Sequence, residues 1–216
     1  MSSPTVLYLH GFASSPAGRK VTLLRGLLEP RGFRLAAPDL NTPSFERLDF
    51  DAMVAAALSE AASEPPVAIV GSSLGALVAL AASRQGTAAP LLLLAPALGF
   101  GERWTRGLPQ TEGPRFFHHG FGEERPIHRK FFESMASRDL ERDPPEARVT
   151  VIMGRKDESV PFSLVEGVWC EWVASGKLAA GARFVEIPEG DHGLVDFVGQ
   201  IAGEIEALAG NATLLG

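Results

Sequence analysis

Residues 67–84, VAIVGSSLGALVALAASR, decide the fold. The first four are continuously apolar and β-rich, the pattern of a strand covered on both faces. From Leu74 onward, leucine and alanine dominate a helix-forming run that ends near Arg84. Between the two halves stands Gly71-Ser72-Ser73-Leu74-Gly75, which fits G-x-S-x-G with Ser73 at its centre. The five letters alone are a weak signal, and their setting gives them weight. A sharp strand-to-helix turn lifts a serine hydroxyl clear of the backbone, and glycines on either side relieve the crowding that such a turn creates. Ser72 has no glycine at the matching offset.

The rhythm continues in both directions. Short apolar runs at Val6–Leu9, Arg34–Ala36, Val67–Val70, Leu91–Ala95, Val149–Met153 and Phe184–Ile187 read as six strands. They alternate with helical patterns near Lys20–Leu28, Asp51–Ser63, Leu74–Arg84, Phe162–Ala174 and Leu194–Ala209. Such alternation implies an α/β fold: a three-layer, doubly wound, mostly parallel six-stranded sheet. At 216 residues the chain is expected to form one domain. Residues 99–147 break the rhythm, with no strand-like run and six of the thirteen phenylalanines. A segment that long reads as a small, partly helical cap, its aromatics fastening it to the core and walling a pocket.

Composition removes several function classes. With 45% hydrophobic and 21% charged residues the chain has the make-up of a soluble globular protein. Its longest apolar run, Ala88–Leu98, is about half of the roughly 20 residues a spanning helix needs. The start, MSSPTVLYLHG, has no basic flank and no long apolar core, so no secretory signal is expected and a cytoplasmic location follows. The single cysteine, Cys170, cannot form an internal disulfide, and its helical setting predicts a buried apolar role. A net charge of -6, without a basic run, gives nucleic acid no footprint. No dinucleotide or phosphate-loop motif is complete, and His118, His119 and His128 match no zinc spacing. Neither a cofactor nor a metal is expected.

A serine hydroxyl is a weak nucleophile near neutrality and needs a base, which in turn needs a group to fix its tautomer. Of five histidines only His192 follows the last strand, in PEGDHGL, where a loop could project it over the sheet. His10 precedes Ser73, and His118, His119 and His128 fall in the cap. For the acid, Asp157 lies just beyond a strand in VTVIMGRKDESVP, with Glu158 as the neighbour that replaces it if the turn is one residue longer. Asp191 adjoins His192, but consecutive side chains in an extended segment point apart. Asp139 and Asp143 sit in the cap and read as solvated charges. Acyl transfer also requires backbone donors for the developing oxyanion. The N–H of Leu74, after the nucleophile, supplies one. The loop after the first strand, His10-Gly11-Phe12, places the N–H of Phe12 as the second, with His10 a structural histidine that holds the loop.

At these residues the chain resembles the α/β-hydrolase superfamily, and L-H-G-F-x-S-S-P together with G-S-S-L-G is similar to its small bacterial YqiA-like esterases. The resemblance spans residue 5 to about residue 209. It implies a serine hydrolase cleaving carboxylic esters or thioesters of a small, partly apolar substrate. Ser73, Asp157 and His192 would form the triad, and Phe12 and Leu74 the backbone donors. The chain departs from larger relatives in starting at the strand that carries the oxyanion loop, and in reading Gly75-Ala76 where many have two glycines. Carbon–carbon bond hydrolysis or acyl transfer on the same triad is the alternative chemistry. A low-turnover protein that binds small molecules is the alternative class. Cap arginines Arg103, Arg106, Arg115, Arg125 and Arg129 face an equal supply of acids, nine basic residues from Arg103 to Arg148 against nine acidic ones from Glu102 to Glu146, which predicts solvated pairing.

Overall fold

The computed structural model describes residues 3–107 and 113–213. Numbered in chain order, the strands are β1 (Thr5–Leu9), β2 (Arg34–Ala36), β3 (Ala68–Ser72), β4 (Leu91–Leu94), β5 (Arg115–His118), β6 (Glu123–Pro126), β7 (Val149–Gly154) and β8 (Arg183–Ile187). The helices are α1 (Arg19–Leu28), α2 (Phe50–Ser63), α3 (Leu74–Ser83), α4 (Phe100–Gly107), α5 (Arg129–Ala136), α6 (Phe162–Ser175) and α7 (Val198–Thr213). Six strands form one parallel sheet in the order β2-β1-β3-β4-β7-β8. Every residue of β1, β3, β4 and β7 is buried, which is why these segments read as continuous rather than alternating hydrophobic runs. The edge strand β8 is mostly half-buried or exposed.

The order fixes where a site can lie. From β1 the chain steps outward to β2 through α1, then reverses and advances through α2, α3 and α6. Right-handed crossovers therefore put α1 on one face of the sheet and α2, α3 and α6 on the other. The C-terminal helix α7 returns to pack on α1. Between β1 and β3 the winding reverses, so the loops leaving their carboxyl ends diverge and open a crevice.

The cap differs from the sequence reading in one respect. Where no strand was expected, β5 and β6 pair as an antiparallel hairpin beside helices α4 and α5. These strands carry charged and aromatic residues but no β-branched ones, and two glycines separate them, so local propensity does not announce them. Tertiary packing holds them instead: the rings of Phe116 and Phe12 meet edge to face at 5.1 Å, and His118 is fully buried. Phe100, Phe131 and Phe132 are buried and fasten the cap, whereas Phe117 and Phe121 are about half exposed. The side chains of Trp104 and Arg106 lie outside the described residues. Cys170 is a second correction. It is exposed, because α6 buries the face that carries Val165 and Trp172, and position 170 lies well round the helix from both.

Candidate active site

Ser73 sits between β3 and α3 at φ 54° and ψ -116°, a backbone conformation few L-residues adopt. Its neighbours leave it no alternative. A Cβ on Gly71 would lie 2.5 Å from the Ala76 Cα, and one on Gly75 would lie 2.1 Å from the carbonyl oxygen of Leu9. The first contact lets the turn fold onto its own helix, and the second lets that helix approach β1. Hydrogen bonds clamp the serine backbone on both sides. Its N–H donates to the Leu94 carbonyl at 2.9 Å, and its carbonyl accepts from Ala76 at 3.0 Å and Ala97 at 3.2 Å. The strain is thus held by the surrounding sheet, and the hydroxyl is left facing the crevice.

The structure brings Asp157 and His192 to that hydroxyl. His192 Nε2 lies 3.0 Å from Ser73 Oγ, and His192 Nδ1 lies 2.8 Å from Asp157 Oδ2. Asp157 follows β7 and its side chain is fully buried. Its other oxygen, Oδ1, accepts the N–H groups of Ser159 and Val160, each at 2.8 Å, so the carboxylate cannot turn away from the imidazole. An acceptor on Nδ1 places the proton there and leaves Nε2 with its lone pair toward the serine. Glu158, the alternative acid, is exposed. Asp191 turns its Oδ1 to the N–H of Leu194 at 2.7 Å and closes the loop rather than entering the line. Asp143 pairs with Lys177. One close packing event joins the two loops: a Cβ on Gly154 would lie 2.2 Å from the Gly190 carbonyl oxygen, and that same carbonyl accepts the Lys156 N–H at 2.9 Å.

The loop after β1 wraps the other side of Ser73. His10 is buried with both ring nitrogens engaged: Nε2 accepts the Leu40 N–H at 2.9 Å, and Nδ1–H donates to the Gly11 carbonyl at 3.0 Å. It therefore fixes the loop, and no nitrogen is left to act as a base. Position 11 is tight for any larger residue, as a Cβ would stand 3.1 Å from the Ser72 carbonyl and 3.2 Å from the Ser73 Cβ. That approach carries the Phe12 backbone beside Ser73. Its ring is held in the cap, within 6.1 Å of Phe45, Phe100, Phe116 and Phe132. The cap closes down on the same loop, as His119 N–H donates to the Ala13 carbonyl at 3.0 Å. On the far side of Ser73, Leu74 opens α3, so its N–H lies at the positive end of a helix.

Two cavities meet at Ser73 and His192. One, about 250 Å³, has Phe12, Phe100, Phe116 and Phe117 among its walls. The other, about 580 Å³, runs toward α1 and is lined by Tyr8, Ser72, Arg19 and Lys20 among others. Lys20 did not stand out in the sequence, since a lysine at the start of an amphipathic helix ordinarily faces water. Here its Nζ donates to Ser72 Oγ at 2.9 Å, and Tyr8 shares a hydrogen bond with the same hydroxyl. Burial pushes the Lys20 ammonium down to about 8, with Asp191 and then Asp157 pulling it the other way, and burial raises the Tyr8 phenol. The one signal that could have pointed to Lys20 was its position eleven residues after the end of a strand whose loop was already assigned to the site. Of the cap histidines, His118 is structural, its Nδ1 accepting from Gly120 and Phe121, while His119 reaches both cavities. Arg115, Arg125 and Arg129 each pair with a glutamate, and Arg103 donates to the Ser159 carbonyl.

A family model covering residues 5–207 matches the chain. The chain belongs to the uncharacterised protein family UPF0227. No curated protein sequence is significantly similar to it. Among solved structures it is similar to Est1E from Butyrivibrio proteoclasticus with ferulic acid bound, at 17% identity and a TM-score of 0.78, covering 98% of this chain and 90% of that one. Alpha/beta hydrolase domain-containing protein 10 from mouse matches at 19% identity and a TM-score of 0.69, over 97% and 90%. The esterase domain of a Rhodothermus marinus protein matches at 18% and 0.68, over 98% and 87%. The UPF0227 chain therefore has the α/β-hydrolase fold, the architecture expected from its sequence.

Proposed function

We propose that this UPF0227 protein is a serine hydrolase that cleaves carboxylic esters or thioesters through an acyl-enzyme intermediate. The observation that carries the reading is the continuous line from Ser73 Oγ to His192 Nε2 and from His192 Nδ1 to Asp157 Oδ2, at 3.0 and 2.8 Å. In this scheme His192 takes the hydroxyl proton as Ser73 attacks the carbonyl carbon, and the imidazolium so formed is stabilised by Asp157. The tetrahedral oxyanion accepts hydrogen bonds from the N–H groups of Leu74 and Phe12. The protonated His192 then gives its proton to the departing alcohol or thiol. Water attacks the acyl-serine through the same base and returns the enzyme to its starting state. The aromatic cavity suits an apolar portion of the substrate.

The test is hydrolysis of p-nitrophenyl butyrate by the wild type and Ser73→Ala, together with labelling by a fluorophosphonate. Loss of at least about 10³-fold in kcat/KM and loss of labelling in the variant are expected. Equal rates in the two proteins would exclude the mechanism.

A further inference from the structure

We propose that Lys20 is a substrate-binding residue that selects esters carrying a carboxylate on the α1 side of Ser73. The inference rests on the hydrolase reading above and adds the charge of the substrate to it. Lys20 Nζ lies in the larger cavity, hydrogen-bonded to the side chain of the residue that immediately precedes the nucleophile. An ammonium has three donors, and the hydrogen bond to Ser72 Oγ uses one. Among the described residues no carboxylate stands within ion-pair distance of it. The two acids whose charge reaches it from outside ion-pair distance are engaged elsewhere, Asp157 with His192 and the turn after β7, and Asp191 through Oδ1 with the Leu194 N–H.

The walls of this cavity include Arg19, Lys20, His119 and His192 and no Asp or Glu, in a chain whose net charge is -6. The fixed charges among these walls, Arg19 and Lys20, are both positive, and like charges in one chamber are costly to hold. Lys20 also lies in the first turn of α1, which has no acidic residue there, so the helix dipole opposes the ammonium as well. An anionic group on the substrate relieves both costs by pairing with the half-buried lysine. The aromatic cavity on the other side of Ser73 takes the uncharged portion, which makes the inferred substrate bipartite, with the scissile carbonyl between an anionic and an apolar part.

The experiment compares matched substrates. For a carboxylate on the acyl portion, the p-nitrophenyl half-ester of adipic acid is set against p-nitrophenyl hexanoate. For one on the leaving group, 4-hexanoyloxybenzoate is set against 4-hexanoyloxybenzamide. The wild type is expected to favour the carboxylate member of at least one pair by kcat/KM. Lys20→Met should lower that ratio about tenfold to a hundredfold, and Lys20→Arg should retain it. The ratio should also fall above about pH 8 as the ammonium loses its proton. The groups facing it are Tyr8 from β1, Arg19 from its own helix, Asp157 after β7, Asp191 and His192 after β8, and His119 from the cap. No preference in either pair, a preference that survives Lys20→Met, or an equal fall for charged and neutral esters would each overturn the assignment. If fluorophosphonate still labels Ser73 in those cases, only the substrate assignment fails. If it does not label Ser73 and no ester is cleaved, the hydrolase reading fails with it.

Discussion

Lys20 carries the largest electrostatic cost found at a single residue near the site. A lysine that titrates at about 8 instead of near 10.5 is worth about 3 kcal/mol against the folded state while it is charged, at the upper bound. The sign follows from proton counting. Between pH 8 and 10.5 the unfolded chain binds the proton that the folded chain has lost at this residue, so the contribution of Lys20 to stability rises with pH across that window and is flat below it. Lys20→Met is therefore expected to be about 1–3 kcal/mol more stable than the wild type at pH 7, with the difference shrinking toward pH 10. Urea melts of both proteins at the two pH values measure it. Asp157→Asn addresses the proton line at the same scale. The amide can still fill the site but presents the wrong partner to His192 Nδ1–H, and a loss of about 10³–10⁴-fold in kcat with an unchanged fold by circular dichroism is expected.

At the scale of elements, the site depends on how closely backbones approach one another. The loops after β7 and β8 touch where Gly154 meets Gly190, and the approach leaves no room for a methyl group. Gly154→Ala must part the loops that carry Asp157 and His192. It should lower kcat/KM by about 10²-fold, in line with the cost of an ångström of misplacement. Burst-phase titration of active sites alongside steady-state rates would separate slower chemistry from a smaller active fraction. The cap offers a parallel case. A Cβ on Gly120 would come within 3.0 Å of the His118 ring and the Ser15 hydroxyl, where the hairpin rests on the loop that bears Phe12. Gly120→Val is expected to lift the hairpin and reduce kcat about tenfold, with a melting temperature close to that of the wild type. Only part of this was legible in the sequence. Both glycines of the elbow and Gly11 announce themselves by motif. Gly154 and Gly190 sit in no motif, because their purpose is contact with each other across 36 positions of chain, and spacing within a strand says nothing of that. The β5–β6 hairpin was invisible for a related reason: its stability comes from Phe12, Phe45 and Phe132, outside its own sequence.

For the whole molecule, the sheet was readable because burial on both faces leaves an unbroken apolar signature, clear in Val67–Val70, Leu91–Leu94 and Val149–Met153. The order of strands follows from handed crossovers once those runs are placed. What the sequence could not reveal was charge in three dimensions. Lys20, Arg19 and His119 are far apart or unremarkable in the chain, yet they share a chamber at the carboxyl ends of the strands. The same geometry bears on how the proposed site is completed. The proposed nucleophile and base are separated by 119 positions, and the proposed acid and base lie on the loops that follow β7 and β8. On the proposed reading, a sheet without its β7–β8 edge has neither the acid nor the base, so ester cleavage is expected only once those two strands have joined β4.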